Sequence, residues 1–78
     1  MSVKEIKEAM VKGKVYFGIR QAVKNFKKLK AVFIAKDTRE ETVKKLDDAK
    51  IEFVVLRPKE EMAKELNLNF ESEVFALV

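Results

Sequence analysis

The sequence predicts an α/β domain in which helices cover both faces of a central β-sheet. Segments with apolar residues at helical spacing alternate with short runs rich in β-branched and aromatic residues, in the order α-β-α-β-α-β-α-β. At 78 residues, 47% of them hydrophobic, the chain has room for a single domain. No linker, low-complexity segment or internal repeat divides it, so residues 1–78 are expected to fold as one unit.

The first helix is expected from about Val3 to Lys12. Ser2 and Glu5 have the spacing of a capping box, in which each side chain bonds the other residue's backbone N–H. Gly13 then predicts the end of the helix. The segment 14–17, rich in β-formers, is expected to be the first strand.

The second helix is expected to begin at or just after Gly18 and to reach about Lys28. Its apolar residues recur at i, i+3, i+4 and i+7 spacing, which predicts one buried stripe. The stripe consists of Ile19, Ala22, Val23, Phe26 and Leu29. The continuous apolar segment 31–35 is typical of a central strand that is covered on both faces.

The third helix is expected to follow Asp37 or Thr38 and to stop near Lys50. Thr38 and Glu41 have the spacing of a second capping box, and Asp37 is expected to be a helix cap. The next strand is predicted over 51–56. Strand, helix and strand in this order predict a right-handed crossover and a parallel pair.

Pro58 fits the first position of a fourth helix, where its missing N–H is not needed. Met62 and Leu66 are expected to face the core from this helix. A loop over 67–72 and a final strand over 73–78 complete the chain. The direction of the final strand is left open, and a mixed sheet is compatible with the pattern.

The charges are distributed unevenly along the chain. The formal net charge is +4, but residues 1–36 carry ten Lys and Arg against two Glu, whereas residues 37–78 carry seven against eleven Asp and Glu. A basic half joined to an acidic half indicates a polyanionic partner that meets one region only. A solvated surface with uneven charge is the alternative.

The chain contains no cysteine and no histidine, which excludes thiol chemistry, the commonest metal ligand and the commonest general base. Catalysis would require Lys36 with Asp37 or a pair of carboxylates, and helix capping and solvation account for the acidic residues. We therefore expect no enzyme activity, no catalytic residue, no metal, no cofactor and no small-molecule substrate.

No apolar run approaches the roughly 18 residues that cross a bilayer, and the N-terminus lacks a secretory signal. These features predict a cytoplasmic protein with no membrane partner.

The junction between the first strand and the second helix carries the strongest functional signal. Gly18 lets the backbone turn sharply or approach a ligand closely. Arg20 and Lys24 are one turn apart on the outer face of the helix, and Gln21 lies beside them. Phosphate contacts would supply affinity there, and Arg20 or Gln21 could read a base edge. The row of cations is expected to continue with Lys27 and Lys28. An amphipathic helix with lysines on its solvated side is the alternative.

Two apolar residues, Leu68 and Phe70, stand in the short polar loop before the last strand. Two interpretations are open for them. Either they tuck into the core, or they present a surface to an unstacked base.

Nearly the whole chain resembles one protein family. The resemblance rests on four segments that occur in the same order as in that family: FGIRQAVK at 17–24, AVFIAKD at 31–37, the strand at 51–56 and EMAKEL at 61–66. It is the family of ribosomal proteins that bind kink-turns in structured RNA. It includes archaeal large-subunit protein seven-Ae, eukaryotic large-subunit protein thirty and small bacterial relatives.

The resemblance implies a three-layer α/β/α sandwich with a mixed four-stranded sheet. It also implies that the start of the second helix enters the RNA groove at tandem sheared G·A pairs. In that arrangement Gln21 would read a guanine edge, and the loop around Leu68 and Phe70 would cover a flipped-out base. We further expect the protein to be a monomer that associates with the ribosome, with structured RNA of the kink-turn type, such as ribosomal RNA, as its partner. The predicted RNA-binding residues are Gly18, Ile19, Arg20, Gln21, Lys24, Lys27, Lys28, Lys36, Leu68 and Phe70.

Glu71 and Glu73 favour a different interpretation of the same fold. Carboxylates close to RNA phosphates are electrostatically unfavourable. A diverged member that acts as a protein-interaction module without strong RNA binding is therefore the alternative function.

Overall fold

The structure is a computed structural model, and it describes residues 2–78 without the side chain of Ser2. The capping box expected for Ser2 and Glu5 lies outside the described residues. In chain order the elements are α1 (Ser2–Val11), β1 (Val15–Phe17), α2 (Ile19–Lys24), a 3₁₀ turn (Phe26–Lys28), β2 (Ala31–Ile34), α3 (Glu40–Asp48), β3 (Val54–Val55), α4 (Lys59–Glu65) and β4 (Val74–Leu77). The predicted alternation of helices and strands is confirmed.

The four strands form one mixed sheet with the order β1-β4-β2-β3. The last strand lies between β1 and β2 and runs antiparallel to both, whereas β2 and β3 form the predicted parallel pair. Phe75 of β4 therefore lies opposite Phe17 on one side and opposite Phe33 on the other. This arrangement confirms the mixed four-stranded sheet.

Each face of the sheet packs against two helices. One hydrophobic cluster joins α1 and α4 to the sheet and contains the buried residues Ile6, Phe33, Met62, Leu66, Phe75 and Leu77. The other joins α2 and α3 to the opposite face and contains Ala22, Val32, Ile34, Leu46, Val74 and Ala76. Successive residues of β2 and β4 alternate between the clusters, as the pleat of a strand requires. The three-layer α/β/α sandwich is thus confirmed.

Three helices end in the same backbone motif. The second residue after each of α1, α3 and α4 has a left-handed φ angle, of 67° at Gly13, 58° at Lys50 and 57° at Asn67. In each case the next N–H donates to the carbonyl five residues back, at 2.8 to 3.0 Å. This is the Schellman ending, whose left-handed position glycine occupies with the least strain.

The α2 segment differs from the expected continuous helix. It ends at Lys24, and Asn25 (φ −111°, ψ 20°) precedes the 3₁₀ turn. The amide of Asn25 donates to the backbone carbonyl of Gln21 at 2.9 Å, which competes with continuation of the helix. The expected burial of Val23 and Phe26 is wrong, because they are 38% and 48% exposed.

The second predicted capping box is also wrong. Instead of capping α3, the hydroxyl of Thr38 donates to the carbonyls of Ala35 at 2.6 Å and Glu73 at 3.3 Å. The helix begins at Glu40 with Arg39 at its N-cap, one residue later than a Thr38 cap would place it. Pro58 lies at the N-cap of α4 rather than at its first helical position.

The expected strand over 51–56 is reduced to the pair Val54–Val55. It lies at the edge of the sheet, and its two side chains are 44% and 54% exposed. Ile51 and Phe53 nevertheless pack against the α2/α3 cluster, so the segment contributes side chains to the core without strand geometry.

Candidate nucleic-acid interface

The position of β4 brings three separate segments to one edge of the sheet. Because β4 is antiparallel to β1 and β2, its first residues lie beside the last residues of both neighbours. The N–H of Gly18 donates to the carbonyl of Val74 at 2.9 Å, and the N–H of Ala35 donates to that of Glu73 at 2.9 Å. The turn at Gly18, the segment that begins at Lys36 and the loop over 67–73 therefore meet.

Gly18 has a conformation that few other residues adopt. Its φ is 94° and its ψ is 159°, in a region that is essentially restricted to glycine. A Cβ built there would meet no heavy atom within 4 Å, so backbone conformation rather than crowding favours glycine. The chain enters α2 directly after this turn, and no side chain of residues 2–78 caps the helix.

Arg20 and Lys24 lie on the same side of α2, as their spacing predicts. Together with Ile19 and Val23 they line one wall of an open groove between α2 and α3, with a volume of about 560 Å³. Both cations are exposed, and neither lies within 4.0 Å of a carboxylate of residues 2–78. Gln21 is also exposed beside them. These side chains are accessible to an anionic ligand.

The loop before β4 is attached to the strand that leads into Gly18. The ring of Phe70 is 50% exposed and packs edge-on against Phe17, with ring centroids 5.3 Å apart. Phe17 in turn packs edge-on against buried Phe75 at 5.8 Å. Leu68 is partly buried against the α1/α4 cluster. Leu68 therefore fits the interpretation in which the loop residues tuck into the core. The ring of Phe70 contacts Phe17 on one side and is exposed on the other.

Glu73 is withdrawn from the surface by its contacts with the start of α3. Its carboxylate accepts from the backbone N–H of Arg39 at 2.7 Å and from the guanidinium Nε at 3.0 Å. Partial burial pulls the pKa of Glu73 upward, but the hydrogen bonds and charge of Arg39, with a contribution from Lys59, hold it below its usual value. The same carboxylate raises the pKa of Arg39. Glu73 therefore stabilises the fold as an ion.

Asp37 is a helix cap, but for α4 rather than α3. Its Oδ1 accepts from the backbone N–H of Lys59 at 2.9 Å, in the first turn of α4. Lys36, directly before it, is exposed, and its N–H donates to the carbonyl of Arg57 at 3.0 Å. The side chain of Lys36 is thus available at the edge where Gly18 lies.

Lys27 and Lys28 lie away from this edge. They belong to the 3₁₀ turn at the far end of α2, where the chain enters β2. Lys36 follows the opposite end of β2, so the strand separates it from these two lysines. The structure therefore brings eight of the ten predicted residues towards one edge and leaves Lys27 and Lys28 at the other.

Sequence reasoning missed Phe17 and Arg39. The ring of Phe17 packs against that of Phe70, and Arg39 pairs with the carboxylate of Glu73, but in both cases the partner is distant in sequence. The one local signal was the position of Phe17 directly before Gly18.

Two further properties concern residues 2–78. No helix in this range combines the length and the hydropathy that are needed to span a bilayer. No group of three or more Asp or Glu side chains in it is arranged to hold a metal ion.

Comparisons with known proteins agree with this architecture. The sequence profile of the ribosomal protein L7Ae/L30e/S12e/Gadd45 family matches residues 2–78. No curated protein sequence matches significantly.

Among solved structures, a Bacillus halodurans protein of unknown function has a TM-score of 0.79 and 17% identity, with coverage of 96% of this chain and 81% of that one. A Giardia lamblia 15.5kD RNA binding protein has a TM-score of 0.77 and 20% identity, with coverage of 96% and 68%. At these identities the structural matches establish the fold.

Proposed function

Because the chain belongs to the ribosomal protein L7Ae/L30e/S12e/Gadd45 family, we propose that it binds structured RNA at the sheet edge beside Gly18. The observation that carries the proposal is the convergence of three segments on that edge. They supply free cations from α2, the exposed Lys36 and the half-exposed ring of Phe70.

The finer proposal is recognition of a kink-turn. Arg20 and Lys24 would contact phosphates, while Gln21, with a donor and an acceptor, would read a base edge. Gly18 and Ile19 would form the surface over which the RNA backbone passes. Phe70 would cover a base that leaves the stack, since aromatic rings are common partners for unstacked bases.

The proposal also covers the oligomeric state, the location and the association with the ribosome. The protein would act as a cytoplasmic monomer that associates with the ribosome through RNA and catalyses no reaction. Co-sedimentation with ribosomes that is lost after RNase treatment would support this setting. Co-sedimentation that survives the nuclease would favour the protein-interaction alternative.

The two glutamates of the loop before β4 suggest a protein-interaction module from the sequence, but the structure gives this alternative little support. The carboxylate of Glu73 is occupied by Arg39, and its side chain is 15% exposed. Glu71 remains the exposed carboxylate of this pair. One exposed charge is a weak argument for a protein-binding surface.

Titration of the protein into a labelled kink-turn hairpin and into a plain RNA duplex tests the proposal. We expect tighter binding of the hairpin. Arg20→Ala should cost about 1–3 kcal/mol of binding free energy if the guanidinium contacts a base. Lys24→Ala should weaken binding to both RNAs and reduce the salt slope by about 1.

The matched control is Lys7→Ala, which removes one exposed lysine from α1 in the opposite layer. It should leave hairpin affinity unchanged. Equal affinity for hairpin and duplex, unaltered in the Arg20 and Lys24 variants, would reject kink-turn recognition at this edge.

A further inference from the structure

Four lysines gather at the end of the molecule where the chain enters β2. Two belong to the 3₁₀ turn, one follows that turn and one follows α3. We call them the lysine cluster, which consists of Lys27, Lys28, Lys30 and Lys50. Two of them, Lys30 and Lys50, line one open hollow of about 270 Å³ together with Phe26, Leu29 and Ile51.

No ion pair among residues 2–78 involves the lysine cluster. All four side chains belong to exposed residues, and none lies within 4.0 Å of a carboxylate of residues 2–78. Glu52 is the acidic residue that lines the hollow, and Lys30 also borders a second hollow that is lined by Glu5 and Glu8. Like charges on one small surface repel each other, and a polyanion bound there would relieve the repulsion.

An exposed aromatic ring lies among these ammonium groups. Phe26 is 48% exposed at the rim of the hollow, and the Nζ of Lys27 is 6.0 Å from its ring centroid. A ring that can stack on a base, beside ammonium groups that can contact phosphates, is the combination that binds single-stranded nucleic acid.

The backbone conformation of Lys50 makes this residue suitable for a test of the cluster. Lys50 has a φ of 58° in the Schellman ending of α3, at the position that Gly13 occupies after α1. Glycine takes this conformation with less strain than lysine. The same ending occurs at Asn67 after α4, so the conformation is a common helix end and by itself indicates no function, but it places Lys50 at the hollow.

We propose that the lysine cluster, with Phe26, is a second RNA-binding surface that takes a single-stranded segment. Unpaired bases are required, because the groove of an RNA duplex does not offer its bases for stacking on a side chain. The α2 helix and the 3₁₀ turn separate this surface from Gly18 by about 15 Å. One RNA with a structured element and a single-stranded flank could therefore contact both surfaces.

The decisive variant is Lys50→Gly, because stability and binding should change in opposite directions. Glycine relieves the left-handed strain, so the urea midpoint should rise. The affinity for a fluorescein-labelled ten-nucleotide oligo(U) should fall by about threefold at low salt, and the salt slope should decrease by about 0.7. Loss of binding in a more stable protein would exclude unfolding as its cause.

Lys44→Ala is the matched control, since it removes one exposed lysine from the outer side of α3. Phe26→Ala should weaken oligo(U) binding about fivefold or more through lost stacking. Oligo(U) affinity that is unchanged in the Lys50 and Phe26 variants, or reduced equally by the control, would overturn the proposal. Absence of oligo(U) binding to the wild type at low salt would do the same.

A competition experiment separates this surface from the one at Gly18. Protein saturated with an unlabelled kink-turn hairpin should still bind labelled oligo(U) within about threefold of its free affinity. Displacement of oligo(U) by the hairpin would indicate one shared surface and overturn the proposal. Failure of the hairpin to bind would reject the kink-turn proposal alone, and the Lys50 and Phe26 variants would still decide whether the second surface exists.

Discussion

Replacing Gly18 with alanine tests how much the turn into α2 depends on its backbone conformation. At φ 94° and ψ 159°, a residue other than glycine costs about 1–3 kcal/mol. No heavy atom lies within 4 Å of the added Cβ, so steric overlap adds nothing to this cost. Alanine also lowers the entropy of the unfolded chain, which offsets about 0.4–1 kcal/mol. We therefore expect a net loss of stability of about 1–2 kcal/mol.

Urea unfolding followed by circular dichroism measures this loss, and an unchanged m-value would show that the unfolding reaction is the same. Thermal unfolding should shift down by about 5–15 °C. The control is Gly13→Asn, because Gly13 occupies a left-handed helix end that asparagine tolerates. Its stability should change by less than about 0.5 kcal/mol.

The same variant connects the turn to binding. If the backbone relieves its strain by rotating the first turn of α2, Arg20 and Gln21 move with it. Hairpin affinity of Gly18→Ala, measured under conditions where the variant is fully folded, should then fall. A variant as stable as the wild type and with unaltered hairpin affinity would refute the reasoning about this glycine.

Two further predictions concern side chains that cap helices. Glu73→Gln should lower stability by about 1 kcal/mol near neutral pH, because it removes the anionic acceptor at the start of α3. Since the folded-state pKa of Glu73 is depressed, its contribution exists above the unfolded-state value of about 4.3 and is lost as pH falls through the folded-state pKa. The wild type and the variant should therefore converge in acid, and a constant difference down to about pH 2 would contradict the assignment. Asp37→Ala should lower the free energy of unfolding by about 1 kcal/mol, because it removes the cap of α4. Urea unfolding measures this loss. The control is Asp47→Ala, which removes an exposed carboxylate from the last turn of α3 and should not lower stability.

Most of the fold follows from local features of the sequence. The continuous apolar segment at 31–35 identified the central strand, and Gly13 identified the end of α1, because these signals act within a few residues. The direction of β4 could not be predicted from such local signals. It depends on how the loop over 67–73 reverses the chain, and no residue in that loop specifies one direction.

The α2 region shows where periodicity misleads. Val23, Phe26 and Leu29 have the spacing of a buried helical stripe, yet the first two are exposed. Asn25 turns the chain into a 3₁₀ segment through its bond to Gln21, so the helical register is lost before Phe26. Val23 precedes the break and is exposed because it lines the open groove between α2 and α3. The same break moves Lys27 and Lys28 out of the predicted row of cations.

The candidate site was predictable where its residues are neighbours in sequence and unpredictable where they are not. Gly18, Arg20 and Lys24 follow from one helix start. The bond between Glu73 and the N–H of Arg39 joins residues 34 positions apart. Thr38 and Glu41 have the local spacing of a capping box, but a distant carboxylate caps α3 instead, so a tertiary contact overrides the local signal.

The capping role of Glu73 also changes the electrostatic argument about RNA binding. From the sequence, two carboxylates in the loop before β4 oppose an approaching phosphate backbone. In the structure one of them, Glu73, is mostly buried and paired with the guanidinium of Arg39, 3.0 Å away, which also pairs with Glu41 at 3.3 Å. The exposed cations at this edge are Arg20, Lys24 and Lys36. The exposed carboxylates near them are Glu71, Asp37 and Asp48, of which Asp48 lines the groove beside Arg20 and Lys24. The fold therefore lowers the repulsion that the loop sequence predicts by one charge, because it uses Glu73 to hold α3 in place.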